Sequence, residues 1–274
     1  MSADESCCIP SYNQSCCELG SVASTEEAVK KNYGKLWASQ REGKSAKSKR
    51  LASMLSAHEA LFKELKPQKG MSVLDIGSGN GETVLAIAEK VGPTGKAIGV
   101  DFSPEGIALA REKAEKRNLG EVAEFHLSNA LELPLTNDYF DAVISECVVC
   151  LIKDKQKALN EKVRVLKPGG RVIMHDVITW ARMPKAMREN QKLFCDCIGG
   201  AVSLDEYVEM MKKAGLTNIK TVDFTKGVNK KRMEASIVAK ARKLKDKKAF
   251  HEIVDFARKG SIGYALLVGT KNRA

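Results

Sequence analysis

Four close pairs of cysteines stand out along the chain: Cys7/Cys8, Cys16/Cys17, Cys147/Cys150 and Cys195/Cys197. Adjacent cysteines make poor disulfide partners, because neighbouring Cα atoms lie about 3.8 Å apart, below the usual bridging range. Thiols gathered this way suit a soft ligand: zinc, Cu(I) or a trivalent metalloid. Simpler roles compete with this one. Cys150 fits a core position as a small apolar residue, and Cys195, two residues from Cys197, points to another side of any helix carrying both. Cys147, Cys150, Cys195 and Cys197 could also form a structural zinc set, although Cys-x-Cys is an atypical half-site. The chain shows no Ser-His-Asp set, and its four histidines have no metal-ligand spacing.

A second group of residues points to a small-molecule pocket. The stretch "DIGSGNGE" puts Asp75, Gly77, Ser78, Gly79 and Gly81 between an apolar run and an amphipathic one. Glycines there allow a sharp turn and close approach of the backbone to a ligand, while a helix N-terminus favours carboxylate or phosphate. Some twenty residues on, Asp101, followed by Phe102, is placed to accept from ribose hydroxyls. Asn129, followed by Ala130, offers an amide for an adenine edge. Taken together, the three features point to an adenosine cofactor.

The elements that must position these groups can be read from periodicity. Residues 1–24 read as a flexible Cys-rich tail, and 25–66 as a helical segment interrupted by "QREGKSAKSKR". From residue 67 to about 180, strand and helix alternate: "SVLDI", a glycine turn and a helix, then "KAIGVD" and a helix opened by Ser103 and Pro104. Next come "AEFHLSNA", "FDAVISECV", a helix through "DKQKALNEKVRVLKPGG" that ends at Pro-Gly-Gly, and "RVIMHDV". Such alternation predicts a parallel sheet with helices on both faces. Residues 181–274 read as substrate-side helices, a capping box at Ser203 and Glu206, and two closing strands, "NIKTVDFTK" and "SIGYALLVGTK", around a basic helical insertion.

Composition narrows the function classes. The chain has 274 residues, 43% hydrophobic and 29% charged, enough for a large globular core. Its apolar runs are far short of a bilayer span, and "MSADESCCIPS" lacks the basic and apolar regions of a secretory signal. The expectation is a cytoplasmic protein with reduced thiols and no membrane contact. The net charge of +11 raises nucleic acid as a partner. However, the excess at Lys44–Arg50 and Lys226–Lys248 has little aromatic interleaving, which favours solvated helix faces.

In order, "VLDIGSGNGE", "GVDFS", "SNALELPL", "FDAVIS" and "VLKPGGRVIMHDV" resemble the class I S-adenosylmethionine-dependent methyltransferases over roughly residues 69–177. The resemblance implies S-adenosylmethionine as cofactor. It also implies a doubly wound α/β, Rossmann-like sheet of seven strands, the last antiparallel, with helices on both faces, and a methyl group presented near the end of strand four, where "SECVVC" lies. "SECVVCLIKDKQKAL", "CIGGAVSLDEYVEMMKKAGL" and "NYGKL" further resemble the arsenite methyltransferases. That resemblance implies Cys147 and Cys197 as ligands of trivalent arsenic, arsenite or its thiol conjugate as substrate, and a small thiol or thioredoxin as reductant. This chain departs from the family in two places. It has no cysteine between "NYGKL" and the glycine-rich strand, and Glu146 stands where the family has Asn. The expectation is therefore two-thiolate binding at Cys147 and Cys197, with Glu146 beside the substrate. Cys150, Cys195 or the tail thiols Cys7, Cys8, Cys16 and Cys17 are the candidates for a third ligand. The rival readings are a methyltransferase for another small molecule, such as a quinone-like acceptor, a nucleic-acid methyltransferase, which "ECVV" after strand four disfavours, and a non-catalytic metalloid-binding protein on the same fold.

Overall fold

The structure, a computed structural model, describes residues 25–41, 52–242 and 246–273. Two helices come first, α1 (Thr25–Arg41) and α2 (Ala52–Leu65). The apolar run that follows forms β1 (Ser72–Ile76), almost wholly buried, as parallel strands covered on both faces are. The glycine turn leads into α3 (Glu82–Val91), whose buried stripe of Val84, Leu85, Ile87, Ala88 and Val91 lies on the sheet. After β2 (Lys96–Asp101), the Ser103 hydroxyl caps α4 (Pro104–Lys116) by accepting from Gly106 N at 3.2 Å, with Pro104 in the first turn. The alternation continues with β3 (Ala123–Leu127), β4 (Phe140–Glu146), α5 (Lys155–Arg164) and β5 (Leu166–Thr179).

One sequence expectation fails here. The helix after β4 was expected to run to Pro-Gly-Gly, but it ends at Arg164, and "LKPGG" opens β5. Phe140 pairs with Leu166 and Ala142 with Arg171, so the extra residues on β5 form a bulge that Gly169, at φ +79°, accommodates. Bulges tolerate a proline inside a strand. Beyond β5 the expected helical tract divides into two short helices, α6 (Lys185–Arg188) and α7 (Gln191–Cys195). Then follow β6 (Val202–Ser203), α8 (Leu204–Lys213), β7 (Leu216–Asp223), α9 (Lys230–Ala241), α10 (Lys247–Arg258) and β8 (Ile262–Lys271). The expected capping box opens α8: Glu206 N donates to Ser203 Oγ at 3.2 Å, and Ser203 N donates to Glu206 Oε2 at 2.8 Å.

The strand order is β3-β2-β1-β4-β5-β8-β7, with β6 paired to β5 off this path. Strand β8 runs antiparallel between β5 and β7, and the remaining pairings are parallel. The doubly wound, seven-stranded expectation is thus met along the main path, and the two-residue β6 makes an eighth strand. Alternate strand residues feed two apolar layers: Leu74 and Val143 pack on one face of the sheet, Val73 and Ile144 on the other. A third apolar cluster at the carboxyl end joins α7, α9, α10 and β8 around Cys150 and Cys197. Between β1 and β4 the winding reverses, which opens a crevice beyond the carboxyl ends of the strands, where open α/β sheets hold their ligands.

Candidate active site

That crevice is a cavity of about 520 Å³, a size usual for small-molecule pockets. Its floor is the glycine turn, where Gly77, Gly79 and Gly81 have φ of +78°, +53° and +80°. A Cβ at Gly77 would lie 2.3 Å from Val148 Cγ2, and one at Gly79 would lie 2.5 Å from Trp37 Cζ2. Glycine is required at both positions, for conformation and for space. Asp75, Gly77, Ser78, Gly79, Asp101, Phe102, Asn129, Ala130, Glu146 and Cys147 line the cavity, whereas Gly81 and Cys197 do not. Helix α1 closes one side with Tyr33 and Trp37.

The polar groups on the cavity wall differ in their roles. Asp101 works for the loop: its Oδ2 accepts from Gly79 N at 2.9 Å and its Oδ1 from Ser103 N at 2.8 Å. Asn129 Oδ1 accepts from Leu131 N at 2.9 Å, which leaves its amide nitrogen for a ligand. Asp75 Oδ1 is buried without a hydrogen-bond partner, and burial, then the nearby Glu146, push its carboxyl well above the usual range. An unpaired buried carboxyl oxygen on a cavity wall fits a ligand with a donor or a cationic nitrogen.

Two of the predicted thiols stand on strained backbone. Cys147 follows β4 at φ +55°, and Cys197 follows α7 at φ +66°. Left-handed conformations cost a non-glycine residue on the order of 1–3 kcal/mol and cluster at functional sites. Cys147 N donates to His175 O at 2.9 Å, which fixes the thiol at the mouth of β4. Cys197, like Cys150, is buried behind the residues that line the cavity, with its Sγ 3.7 Å from Cys147 O and 3.6 Å from Tyr33 Oη. When protonated, Cys197 can donate to that carbonyl. As a thiolate it receives the thiol protons of Cys147 and Cys150, and these two hydrogen bonds hold it well below the usual thiol range. The same bond, with burial, pushes Cys147 up, while burial and then Cys197 push Cys150 up. Cys150 is buried in the core, as its apolar reading predicted, yet its sulfur also meets Cys197. Cys195 is half-buried and outside the cavity, with its thiol raised by burial and by Asp196. The tail cysteines Cys7, Cys8, Cys16 and Cys17 lie outside the described residues.

Several site residues were not foreseen. Glu146 Oε2 accepts from His58 Nδ1 at 2.7 Å and from His175 Nε2 at 2.8 Å, and Glu146 Oε1 accepts from Thr83 Oγ1 at 2.7 Å. Burial opposes its ionisation, but the bonds from His175 and His58 prevail and hold the carboxyl below the usual carboxylate range. On its other edge His175 Nδ1 meets the Tyr264 hydroxyl, which lies 2.9 Å from Cys147 Sγ. An unbroken polar line therefore runs from His58 through Glu146, His175 and Tyr264 to Cys147. No local motif reveals it, since Tyr264 lies 117 residues from Cys147.

A methyltransferase domain model matches residues 67–215. An arsenite methyltransferase of Halobacterium salinarum is 40% identical over 146 residues, which cover 53% of this chain and 37% of that protein. An arsenite methyltransferase of Aquipseudomonas alcaligenes is 28% identical over 219 residues, covering 72% of this chain and 63% of its own length. This chain therefore spans less than two thirds of either relative. A demethylmenaquinone methyltransferase of a Geobacillus strain is 34% identical over 119 residues, 43% of this chain and 50% of that protein. Among solved structures, the [4+2]-cyclase SpnF superposes with a TM-score of 0.66 at 17% identity, covering 91% of this chain and 97% of that one. That last likeness is one of fold.

Proposed function

Because the chain belongs to the methyltransferase domain family, we propose that it transfers a methyl group from S-adenosylmethionine to trivalent arsenic held on Cys147 and Cys197. One observation carries the acceptor: two cysteines from separate turns, both in left-handed backbone, converge where Cys147 enters the cavity wall. The two relatives that bear the name arsenite methyltransferase support the same reading.

The cavity fits the cofactor through the cradle that a Cβ at Gly77 would fill, the free oxygen of Asp75 and the amide of Asn129. When bound, S-adenosylmethionine supplies an electrophilic methyl carbon. The chain's own residues bind, orient and exclude water. Arsenite is thiophilic, so Cys197, the most readily ionised of the three clustered thiols, attacks arsenic first. The hydroxide displaced from arsenic takes the proton of Cys147 and leaves as water, and the Cys147 thiolate then displaces a second hydroxide as the second As–S bond forms. Cys150, against Cys197, is the candidate third ligand, and Cys195 is not. Tyr33 and Trp37 on α1 cover the site, and holding the metalloid in place contributes more than acid–base work at arsenic. Methylation on its lone pair raises arsenic formally from As(III) to As(V), and a small thiol or thioredoxin would supply the two electrons that return it to the trivalent state, directly or through protein thiols oxidised in its place.

A second reading has one observation in its favour. Glu146 and His175 place an acid–base pair on the cavity wall, which would serve a carbon or oxygen acceptor. Incubation with methyl-labelled cofactor, arsenite and glutathione separates the two. Methylated arsenic from wild type, with none from Cys147→Ser or Cys197→Ser at unchanged cofactor affinity, is the expected result. Equal turnover in both variants would transfer the assignment to the second reading.

A further inference from the structure

We propose that His58 Nδ1, Glu146 Oε2 and His175 Nε2 form a binding site for a divalent first-row transition cation such as Zn²⁺, set into the wall of the cavity. The donors come from three elements: His58 from α2, Glu146 from the end of β4, and His175 from β5, where it pairs with Glu146 across the two strands. Their ligand atoms all lie within 4.8 Å of one another. Donors bonded to one tetrahedral zinc at about 2.0–2.2 Å sit roughly 3.3 Å apart. The present separations of 2.7 and 2.8 Å from Glu146 Oε2 therefore need only a small outward shift to admit an ion.

Three further features suit an ion. Two imidazoles and one carboxylate make a set typical of zinc sites that keep one coordination position open. Outer contacts already orient the donors, as they do around bound metals: Thr83 Oγ1 holds Glu146 Oε1 at 2.7 Å, and the Tyr264 hydroxyl meets His175 Nδ1. Glu146 and His175 both line the cavity, so the open position faces the space where an acceptor enters.

Hydrogen-bond direction supplies a further argument, which rests on the arsenic reading. With arsenic on its sulfur, Cys147 has no proton to give, so Tyr264 donates to it and His175 Nδ1–H donates to Tyr264. With its proton on Nδ1, His175 can turn the Nε2 lone pair to a cation that Glu146 Oε2, 2.8 Å away, also holds. The cation's open position would take water or an oxygen of the acceptor, with the ion acting as a Lewis acid. The three-donor geometry stands whatever the acceptor is.

Titration of the chelator-treated, full-length protein with Co²⁺ alone tests the site without cofactor or acceptor. The expected result is one saturable equivalent with visible ligand-field bands and no sulfur-to-cobalt charge-transfer band. Affinity should fall more than about tenfold in His58→Ala and His175→Ala, and by about 10–100-fold in Tyr264→Phe, which loses an outer contact only. His175 is buried, so circular dichroism must confirm its fold. His58, on a half-exposed helix face, carries the test by itself. Absence of saturable binding overturns the proposal and leaves a hydrogen-bonded triad. Binding unchanged in His58→Ala, or bearing the charge-transfer band in every variant, overturns it as well and assigns the ion to the thiols. None of these outcomes depends on whether arsenite is methylated.

Discussion

Cys150 and Cys195 are three and two residues from the paired thiols in sequence, yet only Cys150 is buried in the apolar cluster that holds Cys197. Cys150→Ser is therefore expected to weaken arsenite binding, while Cys195→Ser leaves it within experimental error, read by equilibrium dialysis of arsenite. Equal losses from both would remove Cys150 from the site. The sequence made Cys147 and Cys197 legible through the short contexts around them, "SECVVC" and "CIGGA". It also led to Glu146 as a neighbour of the substrate, and Glu146 does line the cavity, with its two oxygens held by Thr83, His58 and His175, partners the sequence did not suggest. His175, Tyr264 and Tyr33 escaped notice for a physical reason. Each sits in a helix or an alternating strand pattern indistinguishable from ordinary core, and their partners are 29 to 164 residues away. Only the folded sheet brings them together.

At the scale of elements, the glycine turn and α5 each make a separate prediction. Gly77→Ala combines a left-handed φ with a 2.3 Å clash against Val148 and should abolish cofactor binding. Gly92→Ala meets nothing within 4 Å, but at φ 65° and ψ −172° it occupies a region essentially reserved for glycine, so it should cost on the order of 1–3 kcal/mol of stability and keep cofactor affinity, by calorimetry and urea unfolding. Helix α5 buries Lys162, whose Nζ donates to Ser145 Oγ at 2.7 Å, and burial lowers its pKa to about 8 from 10.5. Between these values the unfolded chain binds the proton that the native one lacks, so this residue's contribution to stability rises with pH. The stability of wild type relative to Lys162→Met should thus increase by about 3 kcal/mol from pH 8 to 10.5, and a flat difference would place the ammonium in a solvated setting. Helix identity was legible from caps and apolar stripes, as at Ser103 and Ser203. The end of α5 was not, because Pro168 and Gly169 read as a helix stop and in fact serve a strand bulge.

For the molecule as a whole, the sheet decides what can fold alone. Strand β8, from the end of the chain, pairs with β5 along nine residues from Arg171 to Thr179 and separates it from β7. A fragment of residues 67–180 would leave β5 as a long apolar edge strand. It is expected to aggregate or to unfold without cooperativity, and the full chain is expected to give one sigmoidal urea transition. No helix among the described residues is long and apolar enough to cross a membrane. The groups proposed to face the cofactor stand on β1, β2 and the turns that follow β1, β2 and β3, whereas the thiols come from the turns after β4 and α7, roofed by α9, α10 and β8. Under this partition, substitutions in the roof would exchange the acceptor and leave the nucleotide cradle in place. Relatives with arsenic and quinone names would then be branches that kept one floor and rebuilt the ceiling.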